Sequence, residues 1–185
     1  GIGTQALSGI GLTFPIIMII AAFSCLPGMG GAPLASIAMG EGNIKKAQHY
    51  LNNAIFMLIF ISLIITISCI LMLKPMLLAF GANKTTLPYA TSFLSIYLIG
   101  TIFVEIAMGL NPFINTQGFT KEGTITIVIG TVLNIILDPI FIYVLNLGIA
   151  GAATATVISQ MISAAWVIQF LCSKKSIIRL NLYDM

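Results

Sequence analysis

Three polar side chains, Asn134, Asp138 and Thr156, could together hold a small cation or a proton in an otherwise apolar stretch of chain. Asn134 and Asp138 are four residues apart, so they share one face of a helix. Asp138 and Thr156 both lie roughly 12 Å along their helices from the short turn at 146–148, which makes the two helices antiparallel neighbours. A carboxylate, an amide oxygen and a hydroxyl at one level are hard oxygen ligands.

The same three side chains also allow a structural interpretation. Hydrogen bonds between helices in a membrane contribute about 0.6 kcal/mol each, and Asn134 and Thr156 could serve only that purpose. Asp138 precedes Pro139, where it could serve local backbone geometry, because proline removes a backbone donor. Both interpretations stay open at this point.

A second set of polar side chains, Glu105 and Gln160, is predicted to line a substrate cavity. Gln160 continues a stripe that begins at Thr156, and Glu105 lies deep in another apolar run. A carboxylate inside a membrane costs about 2.5–3.5 kcal/mol on insertion scales, so it usually has a partner or a function. Glu105 could attract a cationic substrate, titrate, stay protonated through burial, or pair with a helix outside this sequence.

The composition determines what kind of element positions these side chains. Of 185 residues, 58% are hydrophobic and only 7% are charged, whereas a soluble domain has about 25% charged residues. This excludes a soluble enzyme and a disordered chain. The net charge of +3 is too small to suggest nucleic acid as a partner. The chain is therefore predicted to be an all-α integral membrane protein with lipid around it and without a cofactor.

Five apolar runs are long enough to cross a bilayer, since a crossing helix needs about 20 residues. We predict spans at about 5–40, 51–73, 87–115, 124–145 and 149–172. Together they would form a transmembrane bundle over residues 1–173, and residues 174–185 would begin a cytoplasmic linker. Because the sequence begins with Gly1 rather than Met, we expect it to be a piece of a longer protein.

The basic residues predict the orientation, because cytoplasmic loops carry an excess of Lys and Arg. With five spans, one set of loops and the tail hold six basic residues and the other set holds two. The six are Lys45, Lys46, Lys121, Lys174, Lys175 and Arg179. The N-terminal end is thus predicted outside the cell, and the C-terminal tail in the cytoplasm.

Three segments resemble the multidrug and toxic compound extrusion (MATE) transporters of bacteria. They are GMGGAPLASIAMGEGNIKKAQHYLNNA, NPFINTQGFTKEG and VLNIILDPIFIYVLNLGIAGAATATVISQ, and the resemblance extends over nearly the whole chain. It implies two six-helix bundles that export organic cations or drugs across the inner membrane in exchange for Na⁺ or H⁺. This sequence is similar to helices two to six of the N-terminal bundle. The first helix and the C-terminal bundle would be its missing partners.

The resemblance also implies a role for the polar side chains. Some members of the family bind a cation with an aspartate on the first helix, an asparagine and an aspartate on the fifth, and a threonine on the sixth. Asn134, Asp138 and Thr156 match the last three positions, whereas the aspartate of the first helix has no counterpart here. Occupancy of Asp138 by Na⁺ or H⁺ would then weaken drug binding, which couples the two fluxes.

Two alternatives compete with a multidrug exporter. A related flippase for lipid-linked saccharides would need basic side chains to meet phosphate, and no span has Lys or Arg in its interior. A truncated remnant would keep the fold but transport nothing by itself. All three interpretations describe a membrane protein that is not an enzyme.

Overall fold

The computed structural model describes residues 3–180, and within this range the chain consists of helices and turns without strands. The predicted all-α fold is therefore confirmed. The last part of the predicted linker, residues 181–185, lies outside the described residues. The helices are α1 (Thr4–Gly11), α2 (Phe14–Gly40), α3 (Ile44–Leu71), α4 (Leu73–Ala79), α5 (Leu87–Ile99), α6 (Thr101–Thr116), α7 (Thr120–Pro139) and α8 (Gly148–Cys172).

Length and apolar composition identify the helices that can cross a membrane. Four stretches qualify in the described part of the chain, namely Thr4–Gly40, Ile44–Leu71, Thr120–Val144 and Gly148–Cys172. The pair α5 and α6 qualifies as a fifth span when both helices are taken together. The described residues thus contain up to five segments that are long and apolar enough to cross a membrane, and the third of them is broken.

The break lies at Gly100, where α5 and α6 meet at an angle of 57°. The predicted third span, 87–115, is therefore two helices rather than one. A β-carbon at Gly100 would lie 2.5 Å from Cγ2 of Val157 on α8, so only glycine permits this approach. The close contact between the bend and α8 fixes where α6 begins in the bundle.

A tight turn joins α7 to α8 and makes them antiparallel neighbours. After Pro139 the chain continues as a π-helical turn, Ile140–Val144, in which the amide of Leu145 donates to the carbonyl of Ile140 at 2.9 Å. Asn146 and Gly148 then adopt positive φ angles of 53° and 55°. Asparagine and glycine tolerate this left-handed conformation best, which explains why the reversal occurs here.

The described chain has two clusters of buried apolar side chains, and the one between α2, α3, α6 and the second half of α8 is called the packed core here. Glycine permits the closest approach: a β-carbon at Gly28 would lie 2.6 Å from the carbonyl oxygen of Gly109. Small residues of this kind let membrane helices pack backbone to backbone. In contrast, only 6% of an apolar 18-residue stretch within Thr120–Val144 is buried, whereas the share is 39% within Gly148–Cys172. α7 is therefore attached mainly through one face.

The chain beyond α8 folds back onto the packed core. Ile178 is fully buried, and the amide of Leu180 donates to the carbonyl of Leu171 at 3.1 Å. The oxygen Oε1 of Gln117, just after α6, accepts hydrogen bonds from the amides of Ile177 and Ile178 at 2.7 and 3.0 Å. Residues 174–180, the described part of the predicted linker 174–185, are thus bound to the bundle.

Candidate functional site

The turn between α7 and α8 brings Asn134, Asp138 and Thr156 together. Nδ2 of Asn134 lies 3.2 Å from Oδ1 of Asp138 and 3.2 Å from Oγ1 of Thr156. The shared helical face supplies the first contact, and the antiparallel turn supplies the second. The three side chains are half-buried, so they are open to an incoming ligand. We call them the Asn134 cluster.

Hydrogen-bonding capacity in the cluster is only partly used. The hydroxyl of Thr156 donates to the carbonyl of Ala152 at 3.0 Å, while its oxygen accepts from Asn134. Oδ1 of Asn134 and Oδ2 of Asp138 take part in neither of the two hydrogen bonds that join the cluster. The NH₂ group of the Asn134 amide carries partial positive charge, and it faces Oδ1 of Asp138 and Oγ1 of Thr156.

Rotation of the Asn134 amide would change what the cluster can bind. A half-turn of the amide group exchanges its NH₂ and its oxygen at little steric cost. Three kinds of oxygen, from Asn134, Asp138 and Thr156, would then face one point between α7 and α8. The described residues contain no group of three or more His, Cys, Asp or Glu side chains. A cation here would therefore bind to one carboxylate and neutral oxygens, which suits Na⁺ or H⁺ better than zinc.

A cavity of about 500 Å³ lies between α6, α7 and α8, next to the Asn134 cluster. Asn134 and Thr156 line it, whereas Asp138 stands behind Asn134, outside the described lining. Gln160 also lines the cavity, and its predicted contact with a substrate stays a prediction. The other polar side chains of the lining are Asn111, Asn115, Thr126, Thr131, Ser159 and Ser163.

Asn111 and Asn115 are lining residues that the sequence prediction missed. They are four residues apart in the segment NPFIN, so they share one face of α6. Oδ1 of Asn111 is buried without a hydrogen-bond partner in the described chain. A β-carbon at Gly123 would lie 2.9 Å from this oxygen, so the glycine lets α7 pass the two amides. The i, i+4 spacing of two amides in an apolar helix was the sequence signal that could have identified these two lining residues.

Glu105 is separate from this cavity. Its side chain is fully buried, and neither carboxylate oxygen has a hydrogen-bond partner among residues 3–180. It does not belong to the cavity lining. The predicted role of Glu105 in a substrate cavity therefore does not fit its position, because Glu105 is enclosed within the helices that pack around α6.

Comparisons with known proteins place the whole chain in one group. The family model described as MatE matches residues 1–140. A protein named "Multidrug export protein MepA" from Staphylococcus haemolyticus is 30% identical over 178 residues, which is 96% of this chain and 39% of that protein. A protein named "FAD transporter" from Shewanella oneidensis is 30% identical over 168 residues, which is 88% of this chain and 37% of that protein.

Solved structures agree with the sequence comparison. A structure titled "Inward-facing conformation of a multidrug resistance MATE family transporter of the MOP superfamily" matches with a TM-score of 0.95 and 25% identity. It covers all of this chain and 42% of that one. "Crystal structure of MATE in the bent conformation" matches with a TM-score of 0.94 and 26% identity, over 99% of this chain and 41% of that one. The chain thus spans about 40% of the length of these relatives.

Proposed function

The chain belongs to the MatE family, and on that premise we propose that it is part of a secondary active exporter in the bacterial inner membrane. The exporter would expel organic cations in exchange for Na⁺ or H⁺. The observation that carries the proposal is the Asn134 cluster, in which a half-buried carboxylate meets an amide and a hydroxyl beside a polar cavity. Its function is transport rather than catalysis.

The coupling ion would bind at Asp138. A cation needs oxygens toward it, so its arrival would turn the Asn134 amide and replace the two hydrogen bonds that its NH₂ now donates. A proton would instead neutralise Asp138 and leave the Asn134 amide in place. Either event changes which groups Asn134 presents to the cavity. Coupling follows if the drug and the ion prefer different arrangements of the same side chains.

The drug would bind in the cavity between α6, α7 and α8. Its described lining offers neutral amides and hydroxyls together with apolar side chains, and it contains no Lys or Arg. Amide oxygens can accept hydrogen bonds from a protonated amine, whereas a phosphate group would need basic side chains. This lining favours organic cations over lipid-linked saccharide phosphates, and also over a ligand like the one in the name "FAD transporter".

The chain would need additional helices to transport. It spans about 40% of its relatives, and the exposed face of α7 leaves room for contacts beyond this bundle. We propose that a first helix and a C-terminal bundle complete the site. We also propose that the N-terminal end lies outside the cell and the tail in the cytoplasm, as the distribution of basic residues predicts.

Replacement of Asp138 tests the coupling. In cells that produce the complete transporter carrying this chain, Asp138→Asn should reduce drug efflux to the level of cells without the transporter. Asparagine can still accept the hydrogen bond from Asn134, so the fold is kept and only the charge is lost. Glu122→Gln is the matched control, because it removes a carboxylate from the same helix outside the cavity lining.

Gradients imposed on vesicles distinguish the two coupling ions. An inward Na⁺ gradient without a pH gradient should drive drug export if Asp138 binds Na⁺, and only a pH gradient should drive it if Asp138 binds a proton. Normal efflux by Asp138→Asn would refute the role of Asp138. Absence of efflux from the unsubstituted complete transporter, despite normal amounts in the membrane, would instead refute its proposed export of organic cations.

A further inference from the structure

Glu105 occupies an unusual place in the fold, because it follows a break in the middle of a membrane-spanning segment. α5 ends at Ile99 and α6 begins at Thr101, with 57° between them. Transporters commonly place ion sites where a membrane helix is discontinuous, because the backbone changes direction there and polar groups gather. Glu105 lies about one turn into α6, so it sits close to this break.

The surroundings of Glu105 offer it no counter-charge. Its exposed fraction is 0%, and both carboxylate oxygens lack a hydrogen-bond partner within the described chain. Oγ1 of Thr101, one turn earlier on α6, is likewise buried and unpartnered. The ion pair that the structure records in residues 3–180 joins Lys46 to Glu41, at the end of α2. Glu105 therefore has no basic partner in the part of the bundle described.

The titratable groups on the helices that pack against α6 do not pair with Glu105. They are Cys25 on α2, Lys45, Lys46, His49, Tyr50 and Cys69 on α3, Tyr89 and Tyr97 on α5, Lys121, Glu122 and Asp138 on α7, and Cys172 on α8. Within residues 3–180, neither carboxylate oxygen of Glu105 has a hydrogen-bond or ion-pair partner among them. The nearest of them in sequence is Tyr97, which is buried, and a neutral tyrosine cannot balance a negative charge. Asp138 instead accepts a hydrogen bond from Asn134.

An ionised carboxylate in this position would be strongly unfavourable. A buried charge without a partner costs several kcal/mol, whereas the neutral acid costs only what a polar group costs. We propose that Glu105 is a proton-binding site, separate from the Asn134 cluster, in which a fully enclosed carboxyl group between α5, α6 and the neighbouring helices holds one proton.

The ligand of this site is a proton rather than a metal ion. Glu105 and Thr101 provide the unpartnered oxygens here, and the described cavity between α6, α7 and α8 does not reach Glu105. A sodium ion would need several more oxygens and its own volume. A proton needs neither, because it adds to one carboxylate oxygen. Glu105 can hold it whether or not Asp138 binds a coupling ion.

Infrared spectroscopy of the full 185-residue chain in lipid nanodiscs tests the proposal. At neutral pH the wild-type spectrum should contain the C=O band of a neutral carboxylic acid. Glu105→Gln should abolish this band, because the amide replaces the acid with nearly the same shape. Asp138→Asn is the matched control and should leave the Glu105 band in place. Loss of an ionised-carboxylate band in Glu105→Gln, with no neutral band in the wild type, would overturn the proposal.

A second measurement is made on the wild-type chain, and the variant serves only to assign a signal. The chain contains three glutamates, Glu41, Glu105 and Glu122, so carbon-13 labelling of glutamate carboxyls gives three NMR signals. In the same nanodiscs at neutral pH, the signal that disappears in Glu105→Gln should have the chemical shift of a neutral acid. A Glu105 signal with the chemical shift of an ionised carboxylate at neutral pH would refute the site.

Discussion

The amide side chains of the packed core and of the polar cavity differ in how far their hydrogen-bonding groups are used. In the packed core, Oε1 of Gln117 accepts from two backbone amides, while its Nε2 donates to the carbonyl of Phe113 at 2.8 Å. Ser176 Oγ also lies 2.9 Å from Oε1 of Gln117. In the cavity, the oxygen of Asn111 is unpartnered in the described chain, and Asn134 uses only its NH₂.

This difference separates structural polar groups from binding groups. Buried polar side chains normally satisfy their hydrogen bonds, because an unsatisfied one costs about 1–3 kcal/mol. Gln117 follows that rule and holds residues 173–180 against α6 and α8. In the cavity, the buried oxygen Oδ1 of Asn111 breaks the rule. The half-buried Asn134 uses its oxygen in neither of its two hydrogen bonds, so both oxygens are available to a ligand. The stability of the bundle should depend on Gln117, and ligand affinity should depend on Asn111 and Asn134.

The largest effect on stability is expected for Gln117→Leu. Leucine fills a similar volume but leaves the amides of Ile177 and Ile178 without an acceptor. We expect a loss of about 2–4 kcal/mol in unfolding free energy, or release of residues 173–180 at similar cost. Denaturant titration measures the loss, and hydrogen exchange at the two amides shows whether the segment detaches. Gln169→Leu, on the exposed surface of α8, should change neither quantity. Equal effects of both variants would contradict the role of Gln117.

A smaller effect is expected where α2 and α6 touch. Gly28→Ala places a methyl group 2.6 Å from the carbonyl oxygen of Gly109, so the helices must separate. Overpacking of this kind costs about 1–3 kcal/mol. Gly30→Ala, on the same helix, meets nothing within 4 Å and should be neutral or slightly stabilising. Unfolding in a denaturing detergent measures the stability of both variants. If Gly30→Ala is as destabilising as Gly28→Ala, the close approach of α2 and α6 is not the cause of the loss.

The sequence predicted features that depend on helix periodicity and on short turns. The contact between Asn134 and Asp138 follows from their spacing, and the contact with Thr156 follows from the turn at Asn146. The sequence did not reveal features that depend on packing between segments far apart along the chain. The bend at Gly100 packs against Val157 of α8, and the docking of Ile178 depends on Gln117, 61 residues earlier. Composition cannot indicate such contacts, because each requires the assembled bundle.

The smallest effect on stability is expected in the cavity, and it provides the sharpest test of the contrast. Asn134→Ala removes two hydrogen bonds of 3.2 Å whose acceptors are half-buried. At about 0.6 kcal/mol for each bond, the loss should be about 1 kcal/mol. Thr124→Ala, at an exposed position of α7 outside the cavity lining, should cost less than this. The same Asn134 variant should strongly weaken cation and drug binding, as isothermal titration of the complete transporter can measure.

A stability loss as large as that of Gln117→Leu, with unchanged binding, would show that the Asn134 cluster is structural. A small stability loss with weakened binding would show that the unused oxygens serve ligands, because the variant would then have removed a ligand group while leaving the packing intact.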